Sequence, residues 1–338
     1  MSLWMVRGGK HGQQEALALE NNLACIGWYE LPDLSGAKNR NEFRKIVEKT
    51  YPRMNEFQLS ILSGQLHNFL HEIKVGDLVV MPMKTTSQIA IGKISGPYQY
   101  REDLGETHHV RRAQWLKTDL PRTNLGPDLL ASLRTYMTVC RIKRNDAETR
   151  MKAILEGKPD PGKPEEPGTD TDEALLDVEQ MAQDQILSYM ESRFKGHALA
   201  RLVNAVLQAE GYVTQLSTPG PDGGADILAR RGSLGLEGPR MCVQVKSSNS
   251  PSDVTVFRGL QGSMATFKAD EGLLVSWGGF NSVVQKEARL SFFSIRLWDA
   301  DDLLAAVTRN YDKLPEELQT DLPLKRIWAL VPGDSEGE

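Results

Sequence analysis

The stretch Gly211–Ser248, GYVTQLSTPGPDGGADILARRGSLGLEGPRMCVQVKSS, constrains this chain more than any other. It predicts three short strands, Tyr212–Leu216, Ala225–Arg230 and Met241–Ser247, separated by turns rich in proline and glycine. The third strand alternates strictly. Met241, Val243 and Val245 point one way, and Cys242, Gln244 and Lys246 point the other. An amide and an amine therefore share one face of a strand that is otherwise apolar enough to be buried, and buried polar groups need partners.

A chain of 338 residues is long enough for two ordinary domains, and 40% hydrophobic with 25% charged residues is a globular composition. No run approaches the roughly 18 apolar residues of a membrane span, and the first residues lack the charged-then-apolar layout of a secretion signal. Cys25, Cys140 and Cys242 stand singly in apolar surroundings without metal-ligand spacing, so neither a disulfide framework nor a structural zinc is expected, and a cytoplasmic location is. The net charge of −5 argues mildly against a nucleic-acid partner. The acid, however, is concentrated in residues 151–177 and in the tail, which leaves the remaining surfaces neutral or basic.

Three segments follow from this pattern. Residues 1–150 read as a mixed α/β domain with a first strand at Ser2–Arg7 and a second around Leu23–Trp28. Helical spacing covers Asn41–Lys49 and Glu56–His71, and further strands are expected at Leu78–Met83, Gln88–Ser95, Tyr98–Glu102 and His109–Trp115. That is the order of a small barrel with helices packed on it. The sequence GGKHG at 8–12 lacks the glycine–lysine–hydroxyl spacing of a phosphate loop and reads as a turn. Residues 151–173 are rich in proline, glycine and acid and read as a linker. Residues 174–330 read as helix, helix, three strands, helix, strand, helix, strand, helix, an α/β domain with a mixed sheet flanked by helices.

The segments WMVRGGKHG, IGWYELPDLSG, HEIKVGDLVVMP, IAIGKISGPYQY and HVRRAQWL resemble the PUA-like/EVE-like domains found beside restriction nucleases. The resemblance implies a small barrel that holds a flipped, modified base between aromatic walls. Trp28, Tyr98 and Trp115 are candidate walls, and Asp33 is a candidate polar reader, with Ser35 as an alternative. Stacking of about 1–3 kcal/mol per base roughly offsets the few kcal/mol that extrusion costs. Each of these aromatics also has a plain reading as core. Arg111 and Arg112, in the cluster HHVRR, are candidate phosphate contacts, with a solvated strand edge as the other reading.

GPDGGADI followed by VQVKSS resembles the Mrr-type restriction endonucleases of the PD-(D/E)XK superfamily, over about residues 190–300. The resemblance places the metal-binding aspartate at Asp226 and the (D/E)XK signature on Gln244-Val245-Lys246, in the variant where Gln replaces the acid. The chemistry can also be argued directly. Phosphodiester hydrolysis needs a divalent ion and a positioned proton acceptor, and Mg²⁺ takes oxygen ligands, few of them from protein. Asp226 offers a carboxylate, Gln244 a side-chain oxygen and Val245 its backbone carbonyl, and Lys246 can orient or deprotonate the attacking water. Asp222 reads most simply as a turn residue. Ser248, with Ser247 and Gln261, is a candidate contact to the DNA backbone. One departure stands out: the family often carries a helix glutamate where this chain has Ala200, while Glu191 and Glu210 are expected on exposed helix faces and His197 at a helix start.

These readings converge on a Mg²⁺-dependent endonuclease (Mn²⁺ is a candidate substitute) acting on double-stranded DNA that carries a modified base. No membrane partner is expected, and a homodimer is one route to double-strand cleavage. A structure-specific or repair nuclease, and a DNA-binding protein weakened in catalysis by Ala200, are the competing readings.

Overall fold

Strand β1 (Leu3–Val6) is buried at every position, which requires a place inside a sheet with both faces covered. The computed structural model, which describes residues 1–86, 88–162, 177–218 and 224–328, puts it there. The chain divides into two compact units, Met1–Gln180 and Met181–Ile327. Asp222 and residues 163–176, which include the second half of the expected linker, lie outside the described residues.

In the first unit β1 is followed by α1 (Glu15–Glu20), β2 (Leu23–Ile26), α2 (Arg40–Thr50), α3 (Glu56–His67), β3 (Leu78–Pro82), β4 (Gln88–Tyr100), β5 (His109–Pro121), α4 (Pro127–Ala131), β6 (Val139–Ile142) and α5 (Ala147–Leu155). The strands form one six-stranded sheet in the order β2-β5-β4-β3-β1-β6. β1 runs parallel to β3 and antiparallel to β6. Alternation assigns the faces. Trp4, Val6, Val79 and Ile94 join Phe43, Val47 and Leu66 of α2 and α3. Leu3, Met5, Leu78 and Val80 join Leu129 of α4 and Met151 of α5 on the other side. Each fully buried aliphatic side chain contributes about 1.5–3 kcal/mol, so both faces are strongly held.

Two expectations change here. Gln88–Ser95 and Tyr98–Glu102 are not separate strands: one long β4 runs through Gly96-Pro97 with a register shift between Ile94 and Tyr98. A proline cannot donate to the ladder, and a bulge absorbs it without ending the strand. The linker also begins later than residue 151. Met151 and Ile154 are buried on α5, and Arg150 is clamped between Asp128 (2.5 Å) and Asp160 (2.6 Å). Composition alone hides this, because one acid of the stretch, Asp160, is used in a buried ion pair.

The second unit runs α6 (Val178–Arg193), α7 (His197–Ala209), β7 (Val213–Leu216), β8 (Ile227–Arg231), β9 (Glu237–Lys246), α8 (Val254–Phe267), β10 (Glu271–Ser276), α9 (Ser282–Leu290), β11 (Ile295–Trp298), α10 (Ala300–Asn310) and α11 (Glu316–Asp321). The order of its mixed sheet is β11-β10-β9-β8-β7. β9 is parallel to β10 and antiparallel to β8. Val243 and Val245 face α7 and α10 in one apolar cluster. Cys242 and Leu274 face Phe257 and Leu260 of α8 in another. Helix starts are fixed by side chains: Asp253 accepts from Thr255 and Val256 N–H groups, Asn281 accepts from Val284, and Asp299 forms a reciprocal capping box with Asp302. At the end of β10, Gly278 approaches the chain after β9 so closely that a Cβ would lie 2.5 Å from the Ser250 carbonyl oxygen. No other residue type fits there without moving that backbone.

No described helix is long and apolar enough to cross a membrane. All three cysteines are free and buried. Burial pushes the Cys25 thiol up to about 12, and burial followed by the charge of Asp226 pushes Cys242 up to about 11.

Candidate functional site

The strand pair β8–β9 builds the first candidate site. Its register pairs Ile227 with Val243 and Leu228 with Cys242. One step further places Asp226 opposite Gln244, on the same face of the sheet. The join is tight: Asp226 N–H donates to the Val243 carbonyl at 2.9 Å, and Val245 N–H donates to Asp226 Oδ2 at 2.7 Å. The N–H and C=O of one extended residue point to the same strand edge, so the Val245 carbonyl also faces the Asp226 side. Lys246 lies two residues beyond Gln244, about 7 Å along the same face. It is half-buried, and its amine makes no hydrogen bond or ion pair among the described residues.

Gln244 Oε1 is the informative atom. It is buried and has no hydrogen-bond partner among the described residues. Leaving such an acceptor unsatisfied costs about 1–3 kcal/mol, a cost that a bound ligand would remove. The described residues contain no cluster of three or more His, Cys, Asp or Glu able to hold a metal. The oxygen set here is instead one carboxylate, one amide and one backbone carbonyl. Hard oxygen donors in that number suit a weakly held Mg²⁺ that keeps several waters.

The flanking positions sort clearly. Ala200 is 2% exposed and belongs to the apolar cluster of Val243 and Val245, so its place on α7 is a packing position on the sheet face away from Gln244. Glu191, expected to be exposed, is half-buried, and its Oε1 accepts from Asn249 Nδ2 at 2.6 Å. Sequence reasoning misses this tie because the partner lies 58 residues further on. Glu210 holds Asn310 and Arg309, and so closes a helix end. His197 is exposed at the start of α7. Ser247 Oγ accepts from Gly196 N–H, Ser248 Oγ accepts from Ser250 N–H, and Gln261 is exposed on α8.

A second set lies in the first unit. Trp28 and Tyr98 are half-buried against the same apolar cluster. Asp33 is exposed, with Oδ1 accepting from Ser35 N–H at 2.9 Å and Ser35 Oγ at 2.7 Å. The loop carrying Asp33 reaches Tyr98, whose hydroxyl accepts from Leu34 N–H at 3.4 Å. Trp28 and Asp33 therefore share one loop, and that loop reaches Tyr98 at Leu34. Trp115 is not part of this group: its indole N–H is shared between the Ala18 and Leu23 carbonyls. Its ring lies over Gly92, where a Cβ would come within 2.9 Å of it. Trp115 is a packing residue.

Arg111 also requires correction as a phosphate contact. It is 3% exposed, and its Nη1 donates to the Phe69 carbonyl at 2.7 Å and to Leu70. Those carbonyls belong to a π-helical turn, Asn68–Glu72, that continues α3. The wide turn loosens its own ladder and Arg111 satisfies it. Arg112 points to the opposite face, where it is exposed and lines an open cleft of about 350 Å³ with Asn21, Asn22, Ser95, Arg101 and Leu104.

His109 has the largest pH consequence in this unit. It is fully buried, and burial lowers its pKa from 6.5 to about 4. Between those values the unfolded chain takes up a proton that the folded chain refuses, so His109's contribution to stability is complete above pH 6.5 and lost as pH falls toward 4. The unfolding midpoint of the first unit is expected to fall from pH 7 to pH 5, and His109→Gln to flatten that dependence. Parallel pH series of thermal unfolding on the two proteins check it, and identical slopes would refute it.

The five-stranded mixed sheet thus carries an acid, an amide and an amine on one face of neighbouring strands. Residues 191–307 match the family Mrr_cat, described as restriction endonuclease, and that stretch is a restriction endonuclease domain of the Mrr type. Residues 4–142 match a family described only as a domain of unknown function, DUF8426. Similar solved structures include the DNA modification-dependent restriction endonuclease AspBHI, at 14% identity and TM-score 0.35 over 80% of this chain and 74% of that one. They also include the MspJI restriction endonuclease in complex with a 27-mer oligonucleotide, at 13% identity and TM-score 0.30 over 94% and 71%. At these TM-scores the backbones diverge too far for residue-level comparison. No curated protein matches the chain.

Proposed function

We propose that this protein is a modification-dependent DNA endonuclease, with a PUA-like base-reading domain in residues 1–150 and a nuclease domain in residues 174–330. The observation that carries the reading is the buried, unpartnered Gln244 Oε1 opposite Asp226 and beside Lys246, within an Mrr-type domain. Asp226, Gln244 and the Val245 carbonyl would hold Mg²⁺, with Mn²⁺ as a substitute. The ion would supply positive charge for the phosphate oxygens. Asp226 keeps its orientation through Val245 N–H, while Lys246 takes or shares the proton of the attacking water and offers charge to the phosphate in the transition state. Trp28, Asp33 and Tyr98 support the reading of a base, and Arg112 that of a phosphate. Double-stranded DNA is the partner, and since one site cuts one strand, two copies or two successive nicks are needed for a double-strand break.

The test is cleavage in Mg²⁺ of one plasmid prepared unmodified or carrying 5-methylcytosine, 5-hydroxymethylcytosine or N6-methyladenine, beside a branched duplex. Preferential cutting of one modified form supports the reading. Cutting of the branched DNA alone would replace it with a structure-specific nuclease. Gln244→Glu adds a charge to the ligand set and is expected to lower the Mg²⁺ concentration for half-maximal cleavage by about tenfold. An unchanged Mg²⁺ requirement would remove Gln244 from the ligand set.

A further inference from the structure

The loop Gly27–Ser35 carries both Trp28 and Asp33; its far arm is tied at Leu34 to one aromatic–imidazole pair, and its near arm leaves β2 at Ile26, opposite the histidine of that pair. Tyr98 on β4 and His109 on β5 are stacked at 6.0 Å with 20° between their planes. Tyr98 Oη lies 2.8 Å from His109 Nδ1. The Tyr98 oxygen also receives Leu34 N–H, and with the phenol proton donated to Nδ1 the imidazole proton resides on Nε2. Burial keeps the ring neutral, consistent with that tautomer. Nε2 is buried without a hydrogen-bond partner among the described residues. The chain of contacts therefore runs from Leu34 N–H through the Tyr98 hydroxyl to the His109 ring, and the β2–β5 ladder sets His109 opposite Ile26, next to Gly27.

The pair is itself braced. Phe69, on the π-helical turn, meets Tyr98 edge to face at 6.3 Å, and Arg111 holds the Phe69 carbonyl. Tyr100 packs on His109 at 5.4 Å. His108, one residue earlier, reaches the Tyr29 carbonyl at 3.0 Å from the outside of the loop. His109 is fully buried, so it cannot touch a base.

We infer that the Tyr98–His109 pair is the positioning element that sets the loop Gly27–Ser35, so that discrimination between modified and unmodified DNA depends on a histidine that never contacts the DNA. The inference rests on the base-reading role proposed for this unit. Tyr98 then acts in two ways, because its hydroxyl is engaged inward and its ring alone is available to a ligand.

The experiment measures the affinity of the full-length protein in EDTA, where DNA is not cut, for otherwise identical duplexes carrying cytosine, 5-methylcytosine, 5-hydroxymethylcytosine or N6-methyladenine. The readout is the ratio of the tightest modified duplex to the unmodified one. Tyr98→Phe and His109→Leu are each expected to reduce that ratio about tenfold, the equivalent of a lost buried hydrogen bond. His109→Gln, whose amide can accept from Tyr98, is expected to keep it within about threefold. Hydrogen exchange at the Leu34 amide is expected to accelerate in Tyr98→Phe, a variant that keeps the packed ring. A role in stability alone would weaken both duplexes equally and leave the ratio unchanged. A wild-type preference that survives Tyr98→Phe and His109→Leu overturns the inference alone. A wild type with no preference overturns the base-reading role and the inference with it.

Discussion

Lys246→Ala is expected to slow Mg²⁺-dependent DNA cleavage about 10²–10⁴-fold, the usual range for loss of a positioned proton-transfer group. Lys246 ends β9 on the face that carries Gln244, and its amine has no hydrogen bond or ion pair among the described residues. Its amine is therefore not spent on holding the fold, and the substitution removes chemistry without breaking a contact. The thermal midpoint should stay within about a degree or two, as for an exposed or partly exposed site with no partner to orphan. Single-turnover cleavage with saturating enzyme separates this from weaker binding. A rate within threefold of wild type would show that the amine takes no part and would end the catalytic assignment.

The second large effect belongs to Asp226→Asn. The amide oxygen of asparagine can still accept from Val245 N–H, so the junction between β8 and β9 should hold. What disappears is the one carboxylate among the three proposed oxygen ligands. With an amide already at 244, the site would then be neutral. Cleavage is expected to fall about 10²–10³-fold, comparable to removing one preorganised electrostatic partner of the transition state. Calorimetric titration of Mn²⁺ into the protein without DNA should show weaker binding. Equal Mn²⁺ binding by the two proteins would place the metal elsewhere, whatever happens to the rate.

The nuclease face is legible in the sequence for a physical reason. A strand imposes a period of two, and Met241–Lys246 obeys it, so the shared face of Gln244 and Lys246 follows from residue order alone. Asp226 follows because the turn residues around it fix where β8 begins. Arg111 misleads although the same rule covers it. His109, Arg111 and Ala113 share one strand face and are all buried, but the basic run HHVRR looks like a solvated edge. What buries Arg111 is a pair of carbonyls about forty residues earlier, in a turn whose π-helical form has no clear sequence signature. The Glu191–Asn249 tie and the clamp of Arg150 between Asp128 and Asp160 are hidden for the same reason. Polar partners distant in the chain leave no periodic trace, whereas apolar stripes do. The bend in β4 is half legible: Gly96-Pro97 marks an interruption, and only the pairing with β5 shows that the ladder resumes in a new register.

The buried state of the three thiols has a practical consequence. Cys25, Cys140 and Cys242 are all out of solvent, and two of them are pushed far from the thiolate that alkylating reagents attack. The natural chain is thus close to cysteine-free as far as a maleimide is concerned. A single cysteine placed on the exposed surface of each unit would be the group that reacts, and a donor and acceptor dye installed there would report the distance between the two units as DNA binds. No native residue would have to be removed first, so the protein carrying the probes would keep its own core.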